Sequence, residues 1–166
     1  MIQTAVEDFY IKPAERKDIR LILYFIKQLA IYEKLVDEVV ATEEKLDEFL
    51  FSDKRVAEVV IGYYQDTPVG FAIFFHNFST FLGKPGIYLE DLFVLEEYRG
   101  KGFGKAMLSY LAHLAVERDC GRLEWAVLDW NEPSINFYRS LGARSMDEWI
   151  IFRLTGDALK SLGEKF

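Results

Sequence analysis

The chain has 166 residues, of which 51% are apolar, 28% charged and 16% aromatic, and its formal net charge is −7 at pH 7. This composition fits one globular domain and excludes a disordered or fibrous chain. The acidic balance argues against nucleic-acid binding, which depends on lysine and arginine side chains that neutralise phosphates. No apolar run reaches the roughly 18 residues of a membrane span, so we expect no membrane partner.

Residues that form disulfides or bind metals are scarce. Cys120 is the single cysteine, so no internal disulfide can form, and we expect a reducing, cytoplasmic compartment. The chain has only two histidines, His76 and His113, and no zinc-type ligand cluster can be assembled from them and Cys120. The first 12 residues contain no apolar stretch of signal-peptide length. We therefore expect a cytoplasmic protein without a metal.

The first half of the chain predicts two helices and three strands. A short strand is predicted at Phe9–Ile11, and apolar residues at helical spacing predict a helix over Asp18–Lys34. Thr42 is expected to cap a short helix that ends at Leu50. The β-branched and aromatic runs Val56–Tyr64 and Val69–Phe75 flank a short polar turn and predict a hairpin.

The second half continues the alternation of strands and helices. In order, it predicts a loop over Phe78–Gly86, a strand over Ile87–Leu95, a helix over Phe103–Arg118, a strand over Leu123–Leu128, a helix over Asn131–Leu141 and a closing strand over Trp149–Leu154. No internal repeat or linker interrupts this order. The pattern is that of a single mixed α/β domain spanning residues 1–166.

A glycine-rich segment, Arg99–Lys105, joins a predicted strand to the clearest predicted helix. Glycines let the backbone approach a ligand closely, and the first N–H groups of the following helix face an anion. The spacing fits neither the dinucleotide fingerprint nor the P-loop. Arg99, Lys101 and Lys105 add a cationic rim to an acidic chain. This rim favours a polyphosphate ligand over the alternative, a solvated turn.

The motif Arg99-x-x-Gly102-x-Gly104 resembles the loop with which GCN5-related N-acetyltransferases (GNAT) hold the pyrophosphate of coenzyme A. Leu89–Val94 and Trp130–Tyr138 extend the resemblance to the spermidine/spermine and thialysine Nε-acetyltransferase branch. It implies one GNAT-like domain with a mixed central sheet flanked by helices. It also implies coenzyme contacts at Phe93, Val94, Arg99, Gly100, Lys101, Gly102, Phe103, Gly104, Lys105, Asn131 and Ser134.

The implied reaction is direct acetyl transfer from acetyl-CoA to a primary amine. An alkylammonium has a pKa of about 10.4, so only about one part in 10³ is a free amine at pH 7. The resemblance places Glu90 beside the amine as a proton carrier, and Tyr138 at the coenzyme sulfur as general acid. From the residues alone, Glu90 could instead lie on a solvated face and Tyr138 in the core. Strand alternation puts Glu90 and Asp91 on opposite faces, which leaves Asp91 open.

The resemblance implies that a small cationic substrate (a diamine, a polyamine or a lysine-like amino acid) contacts Tyr32, Glu33, Glu90 and Glu148. Polyamine enzymes carry an aspartate in the stretch that is Asn77–Phe81 here, which contains no acid. A short diamine or a lysine-like amino acid is therefore favoured. Two alternatives remain, a protein amine as acceptor and a coenzyme-binding regulatory module without turnover. The family is usually dimeric, and Trp149–Phe152 is either an edge for pairing in a homodimer or a core strand.

Overall fold

A computed structural model describes residues 1–166. The chain divides into two compact units, residues 1–126 and 127–166. The first unit contains the sheet and three helices, and the second contains two short helices. None of the helices combines the length and the apolar character that a membrane span requires.

The first unit is built on one six-stranded sheet whose strands lie side by side in chain order, β1 to β6. Neighbouring strands are antiparallel except β5 and β6, which are parallel, so the sheet is mixed as expected. The strands are β1 Ile2–Gln3, β2 Phe9–Pro13, β3 Glu58–Tyr64, β4 Thr67–Ser79, β5 Lys84–Val94 and β6 Leu123–Trp125.

Helices α1 (Ile19–Tyr32), α2 (Glu43–Phe51) and α3 (Phe103–Glu117) complete the first unit. Thr42 caps α2 as predicted, because its hydroxyl oxygen accepts a hydrogen bond from the Lys45 N–H at 3.2 Å. One face of the sheet packs against α1 and α2 around a buried apolar cluster. Its members are Ile22, Phe25, Leu29, Leu50, Val59, Ile61, Phe71, Phe93 and Leu95.

Two predictions in the sheet need correction. Phe78–Gly86 is not a loop, because β4 continues to Ser79 and β5 begins at Lys84, which leaves only a four-residue turn. The predicted strand over Leu123–Leu128 is shorter, since only Leu123–Trp125 pair with β5. The structure also adds β1, which pairs with β2 and was not predicted.

The second unit contains α4 (Glu132–Ser140) and α5 (Gly156–Gly163). The helix predicted over Asn131–Leu141 is confirmed, with Asn131 as its N-cap and Pro133 in its first turn. The closing strand predicted over Trp149–Leu154 is wrong, because this segment forms neither a helix nor a strand. Its apolar side chains at 149–152 are between 72% and 92% exposed.

Candidate active site

The glycine segment adopts a conformation that frees the start of α3. Gly100 and Gly102 have φ angles of 78° and 85°, in the left-handed region that favours glycine. The carbonyl of Gly102 accepts the first intrahelical bond, from the Ala106 N–H at 2.9 Å. The N–H groups of the three residues in between have no intrahelical carbonyl to bind. Because Gly102 has no side chain to cap them, these groups are available to an anion.

Four residues predicted to contact the coenzyme are buried, namely Phe93, Val94, Phe103 and Asn131. Phe103 is 2% exposed, and its ring stacks on Phe9 with the ring centroids 4.3 Å apart. Val94 is 9% exposed at the end of β5. These side chains anchor the two ends of the loop in the core. Only the backbone groups of Phe103 and Val94 remain to face a ligand.

Two of the three cationic residues of the segment, Arg99 and Lys101, contact aromatic rings. The Arg99 guanidinium carbon lies 4.3 Å from the centroid of the Tyr32 ring, and the Arg99 Nε donates a hydrogen bond to the Val94 carbonyl at 2.9 Å. The Lys101 ammonium lies 5.2 Å from the Tyr64 ring centroid. Lys105 is exposed on the first turn of α3. The positive charges of Arg99, Lys101 and Lys105 therefore belong to the segment that leads into α3 and to its first turn, and their contact with a coenzyme stays a prediction.

A β-bulge in β5 changes the expected placement of the carboxylates. Ile73 pairs with Asp91 and the next residue of β4, Phe74, pairs with Leu89, so Glu90 is an extra residue without a partner in β4. In such a bulge two residues of one strand oppose one of the other, and the regular alternation of side chains is interrupted. The prediction that Glu90 and Asp91 point to opposite faces assumed a regular strand, and it stays a prediction: Glu90 is exposed and Asp91 is only partly exposed.

Glu33 and Glu90 are the acidic residues whose negative charge acts on the largely buried Asp91, and the three are called the carboxylate cluster below. Burial, followed by the negative charges of Glu90 and Glu33, raises the pKa of Asp91 from 3.8 to about 7. Burial also raises the pKa of Glu33, which ends α1 as its C-cap. The chain has no group of side chains arranged to hold a metal ion. An incoming ammonium group would relieve the repulsion among these carboxylates.

Asp91 is the residue that the sequence left undecided, since two adjacent acids in an apolar strand were its only signal. The register shift at Glu90 depends on how β4 pairs with β5, which cannot be deduced from local sequence. Tyr32 and Glu33 lie where the sequence predicted a helix end. In the structure, Arg99 contacts the rings of Tyr32 and Phe93. The residues of the carboxylate cluster are related by the effect of the Glu33 and Glu90 charges on the pKa of Asp91.

The second unit contains the remaining predicted residues. Asn131 is 7% exposed at the start of α4. Ser134 and Tyr138 lie three and seven residues further along, a spacing that places all three on one side of the helix. The Tyr138 ring contacts Phe137, with centroids 5.5 Å apart. Glu148 lies outside any helix or strand and is exposed.

Comparison with known proteins connects this geometry to a family. The pattern of the acetyltransferase (GNAT) family matches residues 27–143, which include the glycine segment, the carboxylate cluster and α4. The chain belongs to this family. It is 35% identical to the thialysine N-epsilon-acetyltransferase of Bos taurus, over 93% of this chain and 97% of that protein. It is 34% identical to the L-ornithine N5-acetyltransferase NATA1 of Arabidopsis thaliana, over 92% of this chain and 86% of that protein.

A solved structure supports the fold assignment for this GNAT protein. An integron cassette protein from the mobile metagenome of V. cholerae superposes with a TM-score of 0.79 and 29% identity. The superposition covers 95% of this chain and 98% of that one. The resemblance stated from the sequence, the α/β fold and the N-acetyltransferase activity are therefore confirmed.

Proposed function

We propose that this N-acetyltransferase uses acetyl-CoA as the acetyl donor and binds the coenzyme pyrophosphate at Arg99–Lys105. The supporting observation is the left-handed backbone at Gly100 and Gly102, which leaves the first N–H groups of α3 uncapped. Helix dipole and backbone N–H groups together favour a phosphate at this position. Lys101 and Lys105 add positive charge on an otherwise acidic protein.

The amine is proposed to bind at the carboxylate cluster, and this cluster is the single observation on which the choice of acceptor depends. Three carboxylates attract an ammonium ion and hold it in a partly desolvated position, where their charges act strongly. The bound amine must lose a proton before it can attack the thioester. Glu90 is exposed and can pass that proton to water, while Asp91 titrates near neutral pH, where a proton acceptor works best.

The chemical step forms a bond between the amine nitrogen and the acetyl carbonyl carbon, and breaks the bond from that carbon to the coenzyme sulfur. We propose that backbone N–H groups near Phe93 and Val94 stabilise the carbonyl oxygen as it becomes negative. Tyr138 then donates its phenolic proton to the leaving thiolate. Asn131 and Ser134 are proposed as further coenzyme contacts, and Glu148 as a further acidic contact for the amine.

The acceptor is proposed to be a lysine-like amino acid or a short diamine. Relatives at 34–35% identity are named for ornithine and thialysine, both amino acids with a side-chain amine. The stretch Asn77–Phe81 contains no carboxylate that could hold a distant second cation of a polyamine. One short cation therefore fits the charges better than a long polycation.

We further propose that residues 1–166 function as one acetyltransferase domain, in the cytoplasm and as a homodimer. The family pattern extends across both compact units, and Cys120 as the single cysteine fits a reducing compartment. The exposed run Trp149–Phe152 supports a dimer, because contiguous exposed apolar side chains mark interaction surfaces. Light scattering after size exclusion tests this, and a strictly monomeric protein would contradict it.

The decisive experiment is an acetylation screen with purified protein and acetyl-CoA. Release of coenzyme A thiol is measured against ornithine, lysine, thialysine, putrescine, spermidine and spermine, and products are confirmed by mass spectrometry. We expect the highest kcat/KM for an amino acid or short diamine. Coenzyme binding without turnover on any amine would contradict the proposed acceptor. Higher kcat/KM for spermine than for all shorter amines would contradict the argument from Asn77–Phe81.

A further inference from the structure

The side chain of Arg99 lies in an aromatic clamp formed by Tyr32 and Phe93. Its guanidinium carbon is 4.3 Å from the Tyr32 ring centroid and 5.2 Å from the Phe93 ring centroid. The two rings contact each other in a tilted arrangement, with centroids 6.4 Å apart. The Arg99 Nε also donates a hydrogen bond to the Val94 carbonyl at 2.9 Å. Two rings and one carbonyl therefore contact the side chain of Arg99, which is otherwise exposed.

The aromatic clamp joins three segments with different proposed tasks. Tyr32 is the last residue of α1 and directly precedes Glu33 of the carboxylate cluster. Phe93 follows Asp91 by two positions in β5. Arg99 directly precedes Gly100 and the start of the coenzyme-binding turn. The same contacts thus connect the coenzyme side of the site with both segments that carry carboxylates.

We propose that Tyr32 is a positioning residue that orders the coenzyme-binding segment through Arg99. The inference rests on the proposed coenzyme site at Arg99–Lys105. A glycine-rich segment loses much conformational entropy when it binds a ligand, and contacts that order it beforehand reduce that cost. No atom lies within 4 Å of the position that a Gly100 side chain would occupy, so Gly100 itself adds no packing contact. Arg99 in the clamp is the nearest fixed point on that side of the turn.

This inference differs from the assignment of Tyr32 as an amine contact alone. An amine contact predicts that a change at Tyr32 raises KM for the amine and leaves coenzyme affinity unchanged. A positioning role through Arg99 predicts weaker binding of coenzyme even when no amine is present. Coenzyme A binding to the full-length protein, measured by calorimetry without amine, therefore separates the two roles.

Three variants make the test specific. Tyr32→Leu removes the ring from Arg99 and should weaken coenzyme A binding by about 3- to 10-fold, the range expected for a lost cation–π contact. Tyr32→Phe keeps the ring over Arg99 and should bind coenzyme A more tightly than Tyr32→Leu does. Tyr24→Leu, a matched control, removes a 45% exposed tyrosine from the same helix and should leave coenzyme affinity unchanged.

The contact between Tyr32 and Arg99 is tested by a double-mutant cycle. In an Arg99→Met background, Tyr32→Leu should have little further effect on coenzyme affinity, because no cation is left at position 99 to contact the ring. Wild-type affinity in Tyr32→Leu, equal losses in Tyr32→Leu and Tyr24→Leu, or fully additive losses in the cycle would each overturn the inference. If only this inference fails, the wild type still binds coenzyme A. If the wild type does not bind it, the proposed coenzyme site itself fails.

Discussion

Replacing Asp91 by asparagine should stabilise the fold at alkaline pH and scarcely affect it under acid conditions. The pKa of Asp91 is about 7 in the folded protein, against an ordinary value of 3.8. Below pH 3.8 the carboxyl is protonated in both states, so it adds no electrostatic cost. Between about pH 4 and 7 the folded state binds more protons than the unfolded state, and stability falls as pH rises. Because asparagine carries no charge, the stability of the variant should not fall with pH for this reason.

The size of the effect follows from the displacement of the pKa. A difference of about 3 between folded and unfolded values corresponds to an upper limit of about 4 kcal/mol, at about 1.4 kcal/mol per unit. Because Asp91 retains some access to solvent, we expect about 2 kcal/mol at pH 8. At pH 4 the two proteins should differ by less than about 0.5 kcal/mol.

Urea unfolding at pH 4, 6 and 8 measures this difference directly, with Asp53→Asn as the control on an exposed aspartate. The stabilisation by Asp91→Asn should increase with pH and level off above pH 7. A difference in unfolding free energy that is the same at all three pH values would refute the reasoning, because the burial of a charge would then not be its cause. The same variant should have a higher KM for the amine, since one of three carboxylates is lost.

Three further predictions concern the other proposed residues. Tyr138→Phe should lower kcat by about 10- to 10³-fold with little change in coenzyme affinity, and near-normal turnover would remove the role of general acid. Glu90→Gln should change the pH dependence of kcat/KM for the amine, whereas an unchanged profile would indicate that water accepts the proton directly. Gly102→Ala should cost about 1–2 kcal/mol in urea unfolding, because its φ of 85° is unfavourable for alanine. Gly163→Ala, without a positive φ, is its control and should cause no loss.

Much of the fold could be predicted because its signals are local. The stripe of apolar residues predicted α1 and α3 close to their bounds, and Thr42 predicted the start of α2. A polar turn between two β-branched runs predicted the β3–β4 hairpin, whose turn residues Gln65 and Asp66 have positive φ. Each of these features is specified within a few residues of sequence.

The errors in the fold involve pairing between distant segments. Pro85 and Gly86 indicated a loop, yet both belong to strand β5. The parallel pairing of β5 with β6 covers only Ile87 to Leu89. Pro85 lies beyond that pairing, at a position where its missing N–H costs no ladder bond, and it still pairs with Phe78 of β4. Conversely, the β-branched and aromatic run Trp149–Leu154 does not form a strand, because composition alone provides no partner.

In the candidate site, too, local features could be predicted from the sequence and contacts between distant residues could not. The glycine motif pointed to the segment proposed to bind coenzyme, because the left-handed conformations found at Gly100 and Gly102 are a property of glycine itself. The contact between Arg99 and Tyr32 joins residues 67 positions apart in the chain, and no local pattern indicates it. The family resemblance supplied Tyr138, Asn131 and Ser134 from a motif, without any geometric argument.

The carboxylate cluster shows why the bulge in β5 matters for chemistry. In a regular strand Glu90 and Asp91 would lie on opposite faces, and one buried carboxyl would titrate without the other. The bulge places Glu90 as an extra residue beside Asp91, whose pKa is raised first by burial and then by the negative charges of Glu90 and Glu33. The fold loses stability above about pH 4 as a result, and the site gains a carboxyl that exchanges protons near neutral pH. The buried carboxyl of Asp91 therefore lowers stability and supplies acid–base chemistry at the same time. Asp91→Asn should raise the free energy of unfolding and remove the carboxyl that exchanges protons.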